Sequence, residues 1–401
     1  MLAGESFGKQ NRFLPKTSAA DRALWYGTAS SDRVAVNALF ESDPTIRVAR
    51  TGLRFSEPQS GADFTEFGSA VGLSEHDVRV RAFGELVERA EWARTPYSTH
   101  LTILPAEGGR SSFGEEACAW CGGQDEGLVV GTSLVTGMPR GVPVRLVFQR
   151  WPGGPEREPG ARVDATGVAA ARSRAVAIRR GLLEVVERHN ALQAWRVGRD
   201  PATIVPPSTL GHVLSGALRR LGLRALLIQT GRVGLPPTCL AVLIDRAGRS
   251  TVGTACGRRR SFRSATFEAL ALRRSVMRGA NEERSAGLSR VAAAFWSPGT
   301  MEQFERIASA ASPLGVVLED RPLPSLRTLA SEIGAAFDGD PIVVELTTER
   351  GRAVGWSVVR VVIPGVARRE CFDRHGPSRS GFPRMPGTRD GTWQPEPHPF
   401  G

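Results

Sequence analysis

Two short stretches, "ELVER" at Glu85–Arg89 and "EVVER" at Glu184–Arg188, decide how this sequence is read. Each sets two glutamates at i and i+3, so both carboxylates leave the same helix face about one turn apart. Four carboxylates (Glu85, Glu88, Glu184, Glu187) sharing a cleft repel one another unless cations sit between them. Glutamate oxygens are what magnesium takes, usually together with substrate phosphates, and Arg89 and Arg188 are placed to hold phosphates. A third helical stretch, "ATFEALALRR" at 265–274, offers Glu268 to the same cluster. The competing account is two solvated faces whose Glu and Arg pair locally, for about 0.3 kcal/mol per pair. Read from one helix alone that account is the better one; duplication sets the two on level terms.

The elements around the motifs follow from periodicity and punctuation. ELVER is expected on a helix over 74–94, with Ser74 as cap and Glu75 and Asp77 in the first turn. EVVER is expected near the end of an alanine- and arginine-rich helix over 168–196, with Gly181 as its weak position. "VPVRLVFQRW" (142–151), "CLAVLID" (239–245), "TVGTACG" (251–257), "GVVLED" (315–320), "PIVVEL" (341–346) and "WSVVRVVIPG" (356–365) read as strands. Further helices are expected over 208–221, 262–278, 301–311 and 326–337. That alternation predicts a mixed α/β (α+β) fold. Residues 1–60 form an N-terminal segment of no assigned structure, 61–365 the folded domain, and 366–401 an Arg-, Pro- and Gly-rich tail.

A chain of 401 residues, 41% hydrophobic and 23% charged, can bury a core without disulfides or structural metals. Its apolar runs fall short of the roughly 18 residues a membrane span needs. "MLAGESFGKQNRF" lacks the apolar stretch of a signal peptide, so no membrane association and a cytoplasmic location are expected. Five scattered cysteines fit reduced thiols. The net charge of +11 is carried by arginine, Lys9 and Lys16 being the only lysines. Such a surface suits phosphates and carboxylates, including an acidic peptide. An arginine-rich nucleic-acid binder has only this charge behind it, without aromatic platforms or groove-reading motifs. Gly-rich phosphate loops of the usual spacings are absent, so if ATP binds, carboxylate-held magnesium and arginines must do the work.

The chain ends "WQPEPHPFG", whose Pro395, Pro397 and Pro399 stiffen the terminus into extended backbone. With "GLSEHDVRVRAFGELVER", "AAARSRAVAIRRGLLEVVERHNALQAW", "RSATFEALALRR" and "VVIPGV" in the same order, the sequence resembles the YcaO-domain family, specifically its azoline-forming cyclodehydratases. The resemblance implies a dimeric ATP-binding α/β fold in which Glu85, Glu88, Arg89, Glu184, Glu187 and Glu268 ligate magnesium and contact the nucleotide, with Arg188 beside them. It implies a ribosomally made precursor peptide as substrate, a separate leader-binding partner protein and a flavin dehydrogenase acting downstream. In that chemistry a Cys, Ser or Thr side chain attacks the preceding amide, whose oxygen ATP phosphorylates and which leaves as phosphate. Pro395, Pro397, Pro399 and the Gly401 carboxylate would order the site. Relatives of the same class install a thioamide or amidine instead.

Three positions depart from the family pattern: Val71 where a basic residue is usual, Arg81 where Ser is common, and His189 where Asp follows the second Glu-Arg. They are the support for a second reading, a degenerate member that binds peptide without nucleotide chemistry. "CAWC" at 118–121 is half a zinc site that nothing nearby completes. Cys371 with His375, the arginine run of "GRRRSFR" (257–263) and His398 carry no stronger signal.

Overall fold

A computed structural model describes residues 34–56, 63–94, 101, 103–104, 127–148, 165–197, 202–231, 234–257, 261–279, 304–305, 307, 323–364 and 366. Pro395, Pro397, Pro399, Gly401, His398, His375, Cys118, Cys121, Cys371 and the expected strand 315–320 lie outside these residues. Every strand pairing in the described residues is antiparallel.

Three sheets result. The first is β1 (Ala35–Phe40), β2 (Asp43–Ser56) and β3 (Asp63–Gly72) in that order. The second runs β4 (Ile103–Leu104), β5 (Leu128–Ser133), β12 (Ile342–Glu345), β13 (Ser357–Val362) and β7 (Val168–Ala171), with β6 (Pro139–Pro143) on the far side of β5. The third orders β11 (Ser250–Cys256), β10 (Thr238–Ile244), β9 (Arg224–Thr230) and β8 (Ala202–Val205).

Helix α1 (Glu75–Arg94) starts where Ser74 Oγ accepts the Asp77 N–H at 3.3 Å. A short α2 (Val144–Val147) precedes α3 (Arg174–Val197), α4 (His212–Arg220), α5 (Ser261–Gly279), α6 (Leu326–Phe337) and α7 (Glu349–Ala353). One face of the six-stranded sheet packs Val344 and Val358 with Val78, Phe83 and Trp92 of α1. The other packs Val343, Val359 and Val361 with Ile178 and Leu182 of α3 and Ile333 of α6. Covering on both faces explains the consecutive apolar residues Ile342–Val344 of β12 and those on either side of the buried Arg360 in β13.

Several local expectations need correction. Val168–Ala171, read as the start of a helix, is a fully buried strand, because pairing with β13 and burial outweigh alanine's helix propensity. "VPVRLVFQRW" divides into the end of β6 and the single turn of α2. The helix expected from Ser208 is a 3-10 turn over Pro207–Leu210, and α4 starts only after Gly211, whose φ of 79° breaks the run. Residues 35–56, left without structure in the sequence reading, supply two strands of the first sheet.

One charge system, of which Arg273 is buried, ties α5 to the third sheet. Asp245, in the turn after β10, accepts from Arg273 at 2.6 Å, from Arg249 at 2.7 Å and from the Ala247 N–H at 2.9 Å. Burial alone would raise its carboxyl, yet the Arg273 and Arg249 bonds hold it down to about 2. Asp245→Asn is therefore expected to cost about 2 kcal/mol at neutral pH by urea denaturation. A depressed pKa stabilises above the unfolded value, so the deficit should vanish as pH falls from about 4 to about 2. A constant deficit would assign the contribution to packing instead.

Candidate functional site

The strands β3, β7 and β11 are each the last strand of their sheet among the described residues. An edge strand presents unpaired N–H groups, which need partners. Each of these edges is followed in the chain by its own helix: α1 after β3, α3 after β7 and α5 after β11. Each helix packs on its own strand and reaches the next edge, α1 to β7, α3 to β11 and α5 to β3. The arrangement is cyclic, three strand–helix units in a ring.

Glutamates close the open edges. Glu85 accepts the Ser69 N–H of β3 at 2.7 Å, Glu184 the Gly167 N–H just before β7 at 3.1 Å, and Glu268 the Thr254 N–H of β11 at 2.7 Å. The second glutamate of each motif crosses to the neighbouring unit: Glu88 accepts the Ala170 N–H at 3.2 Å and Glu187 the Cys256 N–H at 2.9 Å. In α5 the corresponding position is Ala271, so the ring holds five carboxylates rather than six. All five expected glutamates thus come together in one row, while the proline-rich end lies outside the described residues.

The helices can approach so closely because of glycines. A Cβ on Gly68 would lie against the Ala82 carbonyl and the Leu86 N–H, and one on Gly253 against the Ala265 carbonyl and the Ala269 N–H. These are the same two helix positions counted from Glu85 and from Glu268.

Charge in the row is unbalanced. Burial, then Glu184 and Glu85, push the Glu88 carboxyl well above the usual carboxylate range, against Arg89 and the Ala170 N–H. Burial and Glu268 likewise raise Glu187, opposed by Arg188, Thr254 and Cys256. Arg89 bonds Glu85 at 2.9 and 3.0 Å, and Arg188 reaches Glu268 at 3.3 Å and Thr254 Oγ1 at 3.3 Å. The two arginines expected on phosphates are thus engaged by carboxylates. Glu187 and Glu268 use both oxygens on protein donors. Glu88 bonds through Oε2 alone, beside the like charge of Glu184.

Among the described residues no three His, Cys, Asp or Glu side chains form a closed metal cage. The five glutamates expected as a metal set therefore do not converge on one ion, and magnesium, which usually keeps waters and takes one or two carboxylates with substrate phosphates, does not need them to. A half-buried glutamate with one oxygen unbonded among the described residues, beside a second carboxylate, is such a donor pair, so Glu88 and Glu184 would hold the cation, with Glu85, Glu187 and Glu268 around them.

Two of the three unusual positions meet each other. The Arg81 Nη1 donates to the Val71 carbonyl at 3.1 Å, while the Val71 side chain lies in the core. Arg180 Nη1 makes the equivalent bond to the Ala170 carbonyl at 2.9 Å. The third, His189, packs edge-on to Phe337 of α6 at 4.7 Å between ring centroids. Sequence reading passed over Arg180 and the edge amides, though Arg81 and Arg180 stand at the same offset from Glu85 and Glu184.

The chain is similar in fold to several solved structures. A heterocyclase in complex with substrate and cofactor aligns at TM-score 0.63 and 16% identity over 88% of this chain and 52% of its own, so this chain spans about half its length. The YcaO protein of Methanopyrus kandleri, bound with AMPPCP and Mg2+, aligns at TM-score 0.60 and 23% identity over 94% of this chain and 96% of its own. A chain of the E. coli microcin synthetase McbBCD complex gives 0.59 and 13% over 82% and 87%. No curated protein sequence matches. Residues 69–367, from the edge of β3 past the end of β13, match the model for YcaO cyclodehydratase, ATP- and Mg2+-binding, and the chain belongs to that family.

Proposed function

We propose that the chain is an ATP-dependent peptide backbone cyclodehydratase, converting Cys, Ser or Thr of a ribosomally made precursor peptide to thiazoline or oxazoline. The observation that carries the reading is the row of five glutamates at three sheet edges, a donor set suited to a magnesium-bound nucleotide. Magnesium and ATP supply a phosphoryl group and the charge to steady it, which turns amide oxygen into a leaving group. The substrate side chain adds through sulfur or oxygen to the preceding carbonyl carbon, losing its proton. The former carbonyl oxygen takes the terminal phosphoryl group and ADP departs. The nitrogen lone pair then expels phosphate, and loss of the N–H proton leaves the C=N of the azoline.

The chain's own residues hold this chemistry in place. Glu88 and Glu184 would present oxygens to the cation, while Glu85, Glu187 and Glu268 are fixed by edge amides. Arg89 and Arg188 offset their charge. The reading extends to an acidic leader recruited with a separate partner protein, a homodimer, a flavin dehydrogenase downstream, a cytoplasmic setting, and Pro395, Pro397, Pro399 and Gly401 ordering the site.

The test is incubation of the protein and its partner with ATP, magnesium and a Cys-containing precursor peptide, followed by mass spectrometry. The expected result is loss of one water per ring with one ADP and one phosphate formed, absent in Glu184→Gln. ATP consumption without dehydration would move the reading to another ATP-dependent backbone modification. No nucleotide binding at all would leave a peptide-binding scaffold.

A further inference from the structure

The arginines of the two motifs are taken up by glutamates, so a polyphosphate needs other cations. Arg81 and Arg180 stand one turn before the first glutamate of each motif, and each is exposed. Each anchors one Nη1 on the carbonyl ten residues behind it, at 3.1 Å on Val71 and 2.9 Å on Ala170. These carbonyls belong to the edge strands β3 and β7. Neither guanidinium forms an ion pair within the described residues. Arg180 lies close enough for its charge to act on Arg81, as do those of Asp77 and Glu85. Two like charges held by equivalent carbonyl anchors, with their remaining N–H groups unused among the described residues, are an arrangement that an anion completes.

The geometry points to Arg81 and Arg180 as a guanidinium pair that takes the terminal phosphates of the nucleotide, at the end of the glutamate row where α1 and α3 begin. This rests on the reading of the row as a magnesium-nucleotide site. The pair makes the site selective for a polyphosphate over a monophosphate, because only the longer anion reaches from the carboxylate-held cation to both guanidiniums.

Isothermal titration of the full chain separates these claims. The probes are magnesium with a non-hydrolysable ATP analogue, with AMP, and with inorganic tripolyphosphate. The variants are Arg81→Gln and Arg180→Gln, which keep a donor for the carbonyl but lose the charge, and Arg81→Lys, with melting temperature as the check on folding. Each glutamine variant is expected to weaken the ATP analogue roughly tenfold or more, leave AMP within about twofold, and reduce tripolyphosphate binding in parallel. Arg81→Lys should recover part of the loss. Unchanged affinity for the ATP analogue in both glutamine variants would overturn the pair, as would an equal loss for AMP. Wild type that fails to bind the ATP analogue would defeat the nucleotide reading itself. Tripolyphosphate then decides the pair alone: binding that the glutamine variants lose supports it, and no binding overturns it.

Discussion

Gly68→Ala and Gly253→Ala are each expected to destabilise the protein by about 3 kcal/mol, although each adds a single methyl group. The new Cβ would fall on backbone atoms of the packed helix, Ala82 and Leu86 in one case and Ala265 and Ala269 in the other, and backbone cannot turn aside as a side chain can. The helix must lift from the strand. Lifting α1 lengthens the 2.7 Å bond from Ser69 to Glu85, and lifting α5 lengthens the 2.7 Å bond from Thr254 to Glu268. Loss of stability should therefore come with loss of magnesium-nucleotide affinity. Gly216→Ala in α4 is the control, since its Cβ would meet only the Arg220 and Arg219 side chains at 3.4 and 3.9 Å. There alanine should stabilise by about 0.8 kcal/mol through helix propensity. Urea denaturation of the three variants checks the contrast, and an unaffected Gly68→Ala would mean that the close approach does not set the site.

What could be read from the sequence was the part of the site that repeats. The Glu-x-x-Glu-Arg spacing puts the glutamates on helix faces, and the resemblance to YcaO proteins implies that they share one site. The strands that those glutamates close were harder to see. Val168–Ala171 carries helix-favouring alanines and becomes a strand only because β13 pairs with it and two helices pack beside it. Small side chains there let Glu88 reach the Ala170 N–H, a long-range bond with no local signature. Arg89 and Arg188 were expected to face phosphate because charge alone suggested it. Helical spacing instead puts Arg89 on Glu85, four residues back, and the ring geometry puts Arg188 on Glu268. Strands β1 and β2 were missed because the turn-forming residues around them masked the alternation in Ile46–Leu53.

Glu88→Gln should reduce magnesium-nucleotide affinity about a hundredfold and should at the same time stabilise the metal-free protein. The sign follows from linkage. The folded-state pKa of Glu88 lies well above its ordinary value of 4.5, and that of Glu187 is also raised. Between the ordinary value and the raised one, the folded chain holds protons that the unfolded chain has released. Their contribution to stability is fully present below about 4.5 and is lost as pH rises through the raised pKa values. Asp245, held down to about 2, acts only at the acid end and does not enter this window. The melting temperature of the metal-free protein should therefore decline relative to Glu88→Gln as pH is raised from about 5 to about 8. Saturating magnesium and nucleotide should remove that decline. If wild type instead gains on Glu88→Gln over the same range, the protein itself balances the row and no cation is needed to hold it. The burial and like-charge repulsion that weaken the metal-free protein are what a bound cation offsets, so low stability without metal and high affinity for it have one source in Glu88 and its neighbours.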